Sequence, residues 1–374
     1  MINVDQDRFA KLVSLVSKAS SGKPTIPVLS NIVIDINEND LLLMATDLEI
    51  GIKSKIVISS DLKISTSVNA KSFSEFLSSL PNSTLQLEIN SNQLIVQNDF
   101  TKAEFNTLNP KDFPKFPEIS EMQKVLEVSS ELFTEAINRT IFSTSQDNIR
   151  PILGGILFEE TNSSLSLVGL DGFRMSKYDL NVDEIKSGLK VVIPSRVLSE
   201  LVKIASNNSS NISLYVTYHN DSVASALFTI GDIQISTRIL DGTYPDYKAI
   251  LPQDFSVNFK FDRQIFLANL RVIDTIARNI IGNRIILEAI DNGKTLLMSV
   301  RDPERGLIET KCDIYEYEGD SFRTSFSSKY LSEMINSMHS NEIHLSCKSS
   351  NMPNQFVETS NHNYLHIIMP IRLD

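Results

Sequence analysis

The chain of 374 residues contains only two cysteines, Cys312 and Cys347, and no CxxC pair. Two isolated thiols make no disulfide framework, so a reducing compartment is expected and both are read as buried or indifferent thiols. No stretch approaches the roughly 18 consecutive apolar residues that a membrane-spanning helix needs. The opening MINVDQDRFAK has no apolar segment behind a basic start, so no secretory signal is expected. The reading is a soluble, cytoplasmic protein. Phosphate cradles are missing as well. SSGKPT carries Gly22-Lys23, but no glycine stands five residues before Gly22 and Pro24 follows the lysine, so the P-loop pattern fails. Neither GxGxxG nor GxSxG occurs. His362 and His366, two of five histidines, lie in HNYLHIIM, which reads as a strand. There they lack the helical geometry of a metal-binding HExxH pair and are expected as polar residues on a strand surface. No metal, cofactor or catalytic site is expected. Positive charge is also short. Lys and Arg number 35 against 46 Asp and Glu, for a net charge of -11. Bulk charge therefore cannot hold this protein on nucleic acid.

What the sequence does have is a threefold repeat. NAKSFSEFLSSL (69–80), PSRVLSELVKIA (194–205) and SSKYLSEMINSM (327–338) are one helix written three times. Their Ser-Glu pairs start at Ser74, Ser199 and Ser332, at steps of 125 and 133. A second amphipathic helix opens each third, at 5–19, 129–143 and 262–278, with Phe9, Phe133 and Phe266 at steps of 124 and 133. Strand pairs ending at Asp47, Asp171 and Asp302 keep nearly the same step, 124 and 131, which reads these acids as one turn repeated rather than as catalytic carboxylates. The proline-rich NPKDFPKFPEIS and the run DGTYPDYKAILPQD mark the boundaries. The expectation is an α+β protein of three two-helix-plus-sheet domains, 1–122, 123–251 and 252–374.

Three equal units joined head to tail follow a curve, and two chains of three could close a six-unit ring. The charge distribution suits such a ring with helices inside. The six helical segments carry eleven basic and nine acidic residues, or +2, while the rest of the chain carries -13. A helix-lined hole would tolerate a polyanion that the outer surface repels.

Four further stretches now join the repeat: KPTIPVLSNIVI with ATDLEIGI, RPILGGILFE with LDGFRMS, DGTYPDYKAILP, and the closing YLHIIMPIRLD. Together, and over the whole chain, they resemble the bacterial DNA polymerase III beta subunits, the sliding clamps. The resemblance implies the DNA clamp (processivity) fold and a homodimer of six domains with helices lining the hole. It implies no catalysis and no cofactor. Such a ring encircles double-stranded DNA without reading sequence and tethers the polymerase at high effective concentration. Its partners would be the polymerase III alpha subunit, the clamp loader, and other polymerases and repair proteins. These dock a short linear motif, roughly Gln-Leu-Ser/Asp-Leu-Phe.

Carried over motif by motif, the resemblance places a peptide groove between the second and third domains. One wall is Arg150, Ile152, Leu153 and Gly155; the next is Leu170, Gly172, Phe173, Arg174 and Met175. Pro245, Ala249 and Ile250 follow, then Tyr330, Met352 and the tail Ile367, Met369, Pro370, Ile371, Arg372 and Leu373. Ala249 stands where many members carry Arg, Leu170 where Thr is common, and Asp374 adds a charge past the usual ending, so altered motif preference is expected. Lys23, Lys71, Arg196 and Lys203 are expected to face DNA, with Pro151 and Ile152 replacing a more aromatic loop pair. Phe105 and Leu108 would meet Ile276 across the ring seam. The rival reading is a cytosolic three-domain interaction scaffold that never encircles DNA.

Overall fold

The computed structural model describes residues 2–22, 24–90, 92–147, 149–161, 164–182, 185–186, 188–206, 208–220 and 222–372. The expectations at Lys23, Leu373 and Asp374 lie outside the described residues. The first repeat runs β1 (Ile2–Asp5), α1 (Gln6–Ser17), β2 (Asn31–Asn37), β3 (Asp40–Thr46), β4 (Ile50–Val57), β5 (Lys63–Asn69), α2 (Ala70–Ser79), β6 (Thr84–Ile89), β7 (Gln93–Gln97) and β8 (Lys102–Asn106). The second runs β9 (Gln123–Val128), α3 (Ser130–Thr140), β10 (Gly155–Thr161), β11 (Ser164–Leu170), β12 (Arg174–Asn181), β13 (Lys190–Pro194), α4 (Ser195–Ala205), β14 (Ile212–His219), β15 (Ser222–Ile230) and β16 (Ile233–Arg238). The third runs β17 (Val257–Asp262), α5 (Arg263–Ala277), β18 (Arg284–Ile290), β19 (Thr295–Asp302), β20 (Gly306–Gly319), β21 (Arg323–Ser327), α6 (Ser328–Ser337), β22 (Glu342–Cys347), β23 (Asn354–Glu358) and β24 (Tyr364–Ile368). All six helices fall where the repeated phrases put them. The strand that precedes each opening helix was not legible, because it is short and runs straight into the helix.

Strand ends explain how the helices start. Asp5, Asn69 and Asp262 end a strand, and their side chains accept from the backbone N–H of Arg8, Ser72 and Ile265. Each thereby satisfies a donor that the first helical turn leaves open. The repeated aspartates behave as expected. Asp47 Oδ1 accepts from the N–H groups of Glu49 and Ile50, Asp171 from Phe173 and Arg174, and Asp302 from Glu304 and Arg305. This is one Asx turn used three times. Phe9, Phe133 and Phe266 are fully buried, each contributing about 2 kcal/mol of apolar burial.

The strands of each repeat fall into two sets of four, such as β5-β2-β3-β4 and β1-β6-β7-β8 in the first. The sets join across repeats. β4 pairs antiparallel with β16, and β12 with β24. Contacts therefore divide the chain into two compact units that ignore the repeat boundaries: residues 1–130 with 203–239, and 131–202 with 240–374. The first unit holds the four-stranded β1-β6-β7-β8 sheet and the eight-stranded sheet β5-β2-β3-β4-β16-β15-β14-β9. The second holds one twelve-stranded sheet, in which the long β20 pairs with both β19 and β17.

The β12–β24 pairing corrects one expectation. β24 lies between β12 and β23, and His366 on it is fully buried rather than on a surface. Its Nδ1 meets Ser176 Oγ at 2.7 Å and its ring stacks on Phe142 at 5.6 Å. Burial, with Arg174 near, holds its pKa well below the ordinary value, so the imidazole is neutral. His362 precedes the strand. Cys312 and Cys347 are buried, and burial raises their thiols to about 12 and about 11, so both are unreactive protonated thiols. Among the described residues no helix is long and apolar enough to cross a membrane.

Candidate protein-binding groove

The second unit contains a cavity of about 660 Å³. Its floor is Leu153, Leu170, Met175 and Ile367, all buried and part of one core cluster with Tyr244 and Tyr247 behind them. Local chemistry puts them there. The turn Pro151–Gly154 delivers Leu153 just before β10. β11 and β12 pair Leu170 with Met175, and β12–β24 pairing sets Met175 opposite Ile367. Tyr244 donates its hydroxyl to Val168 O at 3.0 Å, and Tyr247 donates to Glu159 Oε2 at 2.8 Å. Burial raises the pKa of both phenols, so they stay protonated donors. Burial also raises Glu159, but hydrogen bonds from Lys190, Tyr247 and Lys248 outweigh it and hold the carboxylate below its ordinary value.

The rim is made differently. Asp171 accepts the N–H groups of the next turn, and Gly172 takes a φ of +95°, a conformation that suits glycine. The turn throws Phe173 outward, 63% exposed. Met369 N–H bonds Phe173 O at 2.8 Å, which ties the chain leaving β24 to that turn. Met352 and Met369 stand 48% and 36% exposed on the same cavity. Flexible thioethers beside an exposed ring make an adaptable apolar lip. Arg150, Pro245, Ala249 and Ile250 complete the expected lining.

Arg174 fixes one wall. It is only 6% exposed. Its Nε bonds Asp171 Oδ2 at 3.0 Å, its Nη1 pairs with Glu333, and its Nη2 donates to the carbonyl of Phe142. The guanidinium lies 4.3 Å from the Tyr330 ring centroid and 5.4 Å from that of Phe142. Every face of this cation is engaged, so it is a rigid strut.

Several expected residues lie off the cavity. Tyr330 supports Arg174 and does not line the space. Ile152 packs beside the cluster, over Gly242. Gly155 is buried on β10, where a Cβ would come within 2.4 Å of Ile193 O. Beyond Met369 the tail turns away. Ile371 exchanges hydrogen bonds with Ser325, N–H to O at 2.8 Å and Oγ to O at 2.5 Å, drawing Pro370, Ile371 and Arg372 from the lining. Conversely, Leu251, Pro252, Gln253, Asp254, Lys348 and Pro353 line the cavity and were missed. The only signal for them was adjacency to Ile250 and Met352.

Lys71 on α2 and Arg196 and Lys203 on α4 are solvent-exposed. At the expected seam, Leu108 is about half exposed, while Phe105 sits edge-on to Phe73 and Phe76 at 5.2 Å each. Ile276 faces the core; Val272, one turn earlier on α5, is the exposed residue.

Three family models match consecutive parts of the chain. They describe the N-terminal, central and C-terminal domains of the DNA polymerase III beta subunit, over residues 1–117, 127–246 and 248–372. The beta sliding clamp of Bacillus subtilis strain 168 is 27% identical, over 99% of this chain and 98% of its own. The crystal structure of a Bacillus subtilis DNA polymerase sliding clamp superposes with a TM-score of 0.93 at 25% identity, covering 100% of this chain and 99% of the other. The Streptococcus pneumoniae DNA polymerase III beta chain gives 0.91 at 26% identity, covering 100% of both. The chain thus belongs to the DNA polymerase III beta subunit family, with the three-domain clamp fold and the role of a polymerase sliding clamp.

Proposed function

We propose that this clamp works as a cytoplasmic, non-catalytic homodimeric ring of six domains, cut at 1–122, 123–251 and 252–374 in each chain. It encircles duplex DNA and holds the polymerase III alpha subunit, the clamp loader and other partners through a linear motif bound in the groove. The observation that carries this reading is the groove itself: a fully apolar floor, an adaptable Phe-Met lip and a braced arginine wall in one cavity of peptide-binding size. A sequence such as Gln-Leu-Ser-Leu-Phe offers apolar anchors for the floor.

A strand rule supports ring closure. The third strand of the first set in one repeat pairs with the last strand of the next repeat, as in β4–β16 and β12–β24. Continued once more, the rule pairs the first half of β20 with β8 of a second chain. Among the described residues, β8 pairs only with β7, and the 306–313 half of β20 only with β19. Two such seams close a dimer. The exposed Lys71, Arg196 and Lys203 suit weak, salt-sensitive phosphate contacts, which let a topologically linked ring slide.

The test is fluorescence anisotropy with a labelled Gln-Leu-Ser-Leu-Phe peptide. Leu153 is buried, so Leu153→Asp risks unfolding; Phe173→Ala alters only the lip and is the cleaner variant. Saturable binding weakened tenfold or more by Phe173→Ala, with an unchanged melting temperature, is expected. No binding by folded protein would end the groove reading. In parallel, light scattering should give twice the 41.9 kDa chain mass. A protein that remains monomeric and slips off circular DNA would favour the scaffold reading instead.

A further inference from the structure

Beside the groove lies a smaller cavity of about 360 Å³ with the opposite chemistry. Lys348 lines both, so the two spaces meet at that side chain. Chain order agrees: residues 251–254 line the groove and 256–257 the annex, while 348–350 line the annex and 352–353 the groove.

The annex is built for an anion. Arg323 uses Nε on Glu288 at 3.2 Å, and its two terminal nitrogens have no partner among the described residues. Lys348 reaches Asp254 only at 3.5 Å, with both side chains more than half exposed. A contact so long and so hydrated is weak and easily exchanged for another carboxylate. Thr324 borders the annex but is fully buried, its side chain on the strand face opposite to that of Arg323. Four serines add further hydroxyls. Asp320 is the one carboxylate of the lining, against two cations.

We propose that this annex is a subsite for an acidic side chain, Asp or Glu, that flanks the linear motif on the side where the partner's chain leaves the groove past Lys348. The proposal rests on the groove being a peptide site. It deepens that reading by assigning charge preference to a position outside the apolar motif. A carboxylate there would displace Asp254 from Lys348 and take the free guanidinium nitrogens of Arg323. Because the annex is open to water, the gain is about three- to tenfold in affinity and shrinks with added salt.

The test uses three labelled peptides: Gln-Leu-Ser-Leu-Phe with Gln-Gln on both sides, with Glu-Glu before it, and with Glu-Glu after it. Each is titrated by anisotropy against the wild-type protein, Arg323→Gln and Lys348→Gln. Glutamate on one side only should tighten binding three- to tenfold, and each substitution should remove most of that gain. Arg323→Gln lies outside the groove and should leave the Gln-flanked peptide unaffected. Equal affinity for all three peptides overturns the proposal. So does a gain at both ends that survives the substitutions, since that is general attraction. If the Gln-flanked peptide fails to bind folded wild-type protein, the groove reading falls and takes the annex with it.

Discussion

At Ile50 the chain leaves its Asp47 turn with a buried aliphatic side chain; at the equivalent Arg174 it leaves the Asp171 turn with a buried guanidinium. Both residues start strands that pair with the last strand of the following repeat. The first junction is finished with apolar surface. Phe116 packs over Gly51, where a Cβ would lie 3.1 Å from its ring, and Lys53 stands 5.5 Å from the ring centroid. The ion pairs there, Lys53–Glu118 and Arg8–Asp232, are each 4.0 Å long. The second junction is finished with charge. Arg174 gathers Asp171, Glu333 and Phe142. A second buried cation, Arg139, reaches Glu358 at 2.6 Å, Glu135 at 3.0 Å and His339 Nδ1 at 2.8 Å, beneath Tyr178 and Tyr364. An apolar seam tolerates small shifts, whereas a buried cation demands partners at fixed positions. The junction that carries the groove is the one held by such fixed geometry.

The largest way to test that contrast is to remove the cation. Arg174→Met strands Asp171 and Glu333 and should cost about 3–5 kcal/mol in denaturant melts. Ile50→Val at the equivalent place should cost about 1 kcal/mol. Comparable losses would erase the contrast. A smaller test uses the turns themselves. Leu48 sits at a φ of +79°, where the equivalent Gly172 sits at +95°. Gly172→Ala should cost about 1–2 kcal/mol, because a side chain is strained there. Leu48→Gly should cost nothing in a thermal melt, since relief of strain offsets added chain entropy.

Acid gives the smallest and most local effect. Burial raises Glu358, but Arg139 and the N–H groups of His339 and Ser340 outweigh it and hold its pKa below the ordinary 4.5. A depressed carboxylate stabilises above its unfolded pKa and loses that contribution as pH falls through the folded value. Protection factors across β12–β24, corrected for the intrinsic exchange rate, should therefore fall below pH 4.5 before those across β4–β16. In Glu358→Gln the difference in pH response should vanish, at the expense of a lower starting stability.

Local pattern alone determined the repeat, the six helices, their phenylalanine anchors and the Asx turns. Each depends on residues close in the chain: apolar spacing, a polar cap, or an aspartate accepting from N–H groups two and three positions on. The family motifs likewise pointed to the floor of the groove, because Leu153, Leu170, Met175 and Ile367 sit inside them. What only the tertiary structure decided is how distant strands meet. The β12–β24 pairing buried His366, and the Ser325–Ile371 bonds pulled the tail's last residues off the groove. Arg174 took Tyr330 as its support, and Lys348 came beside Asp254 and Arg323 from segments far apart in sequence. Strand pairing between repeats is a long-range contact, set by which edges remain free once each repeat has folded. No local run of residues carries that information.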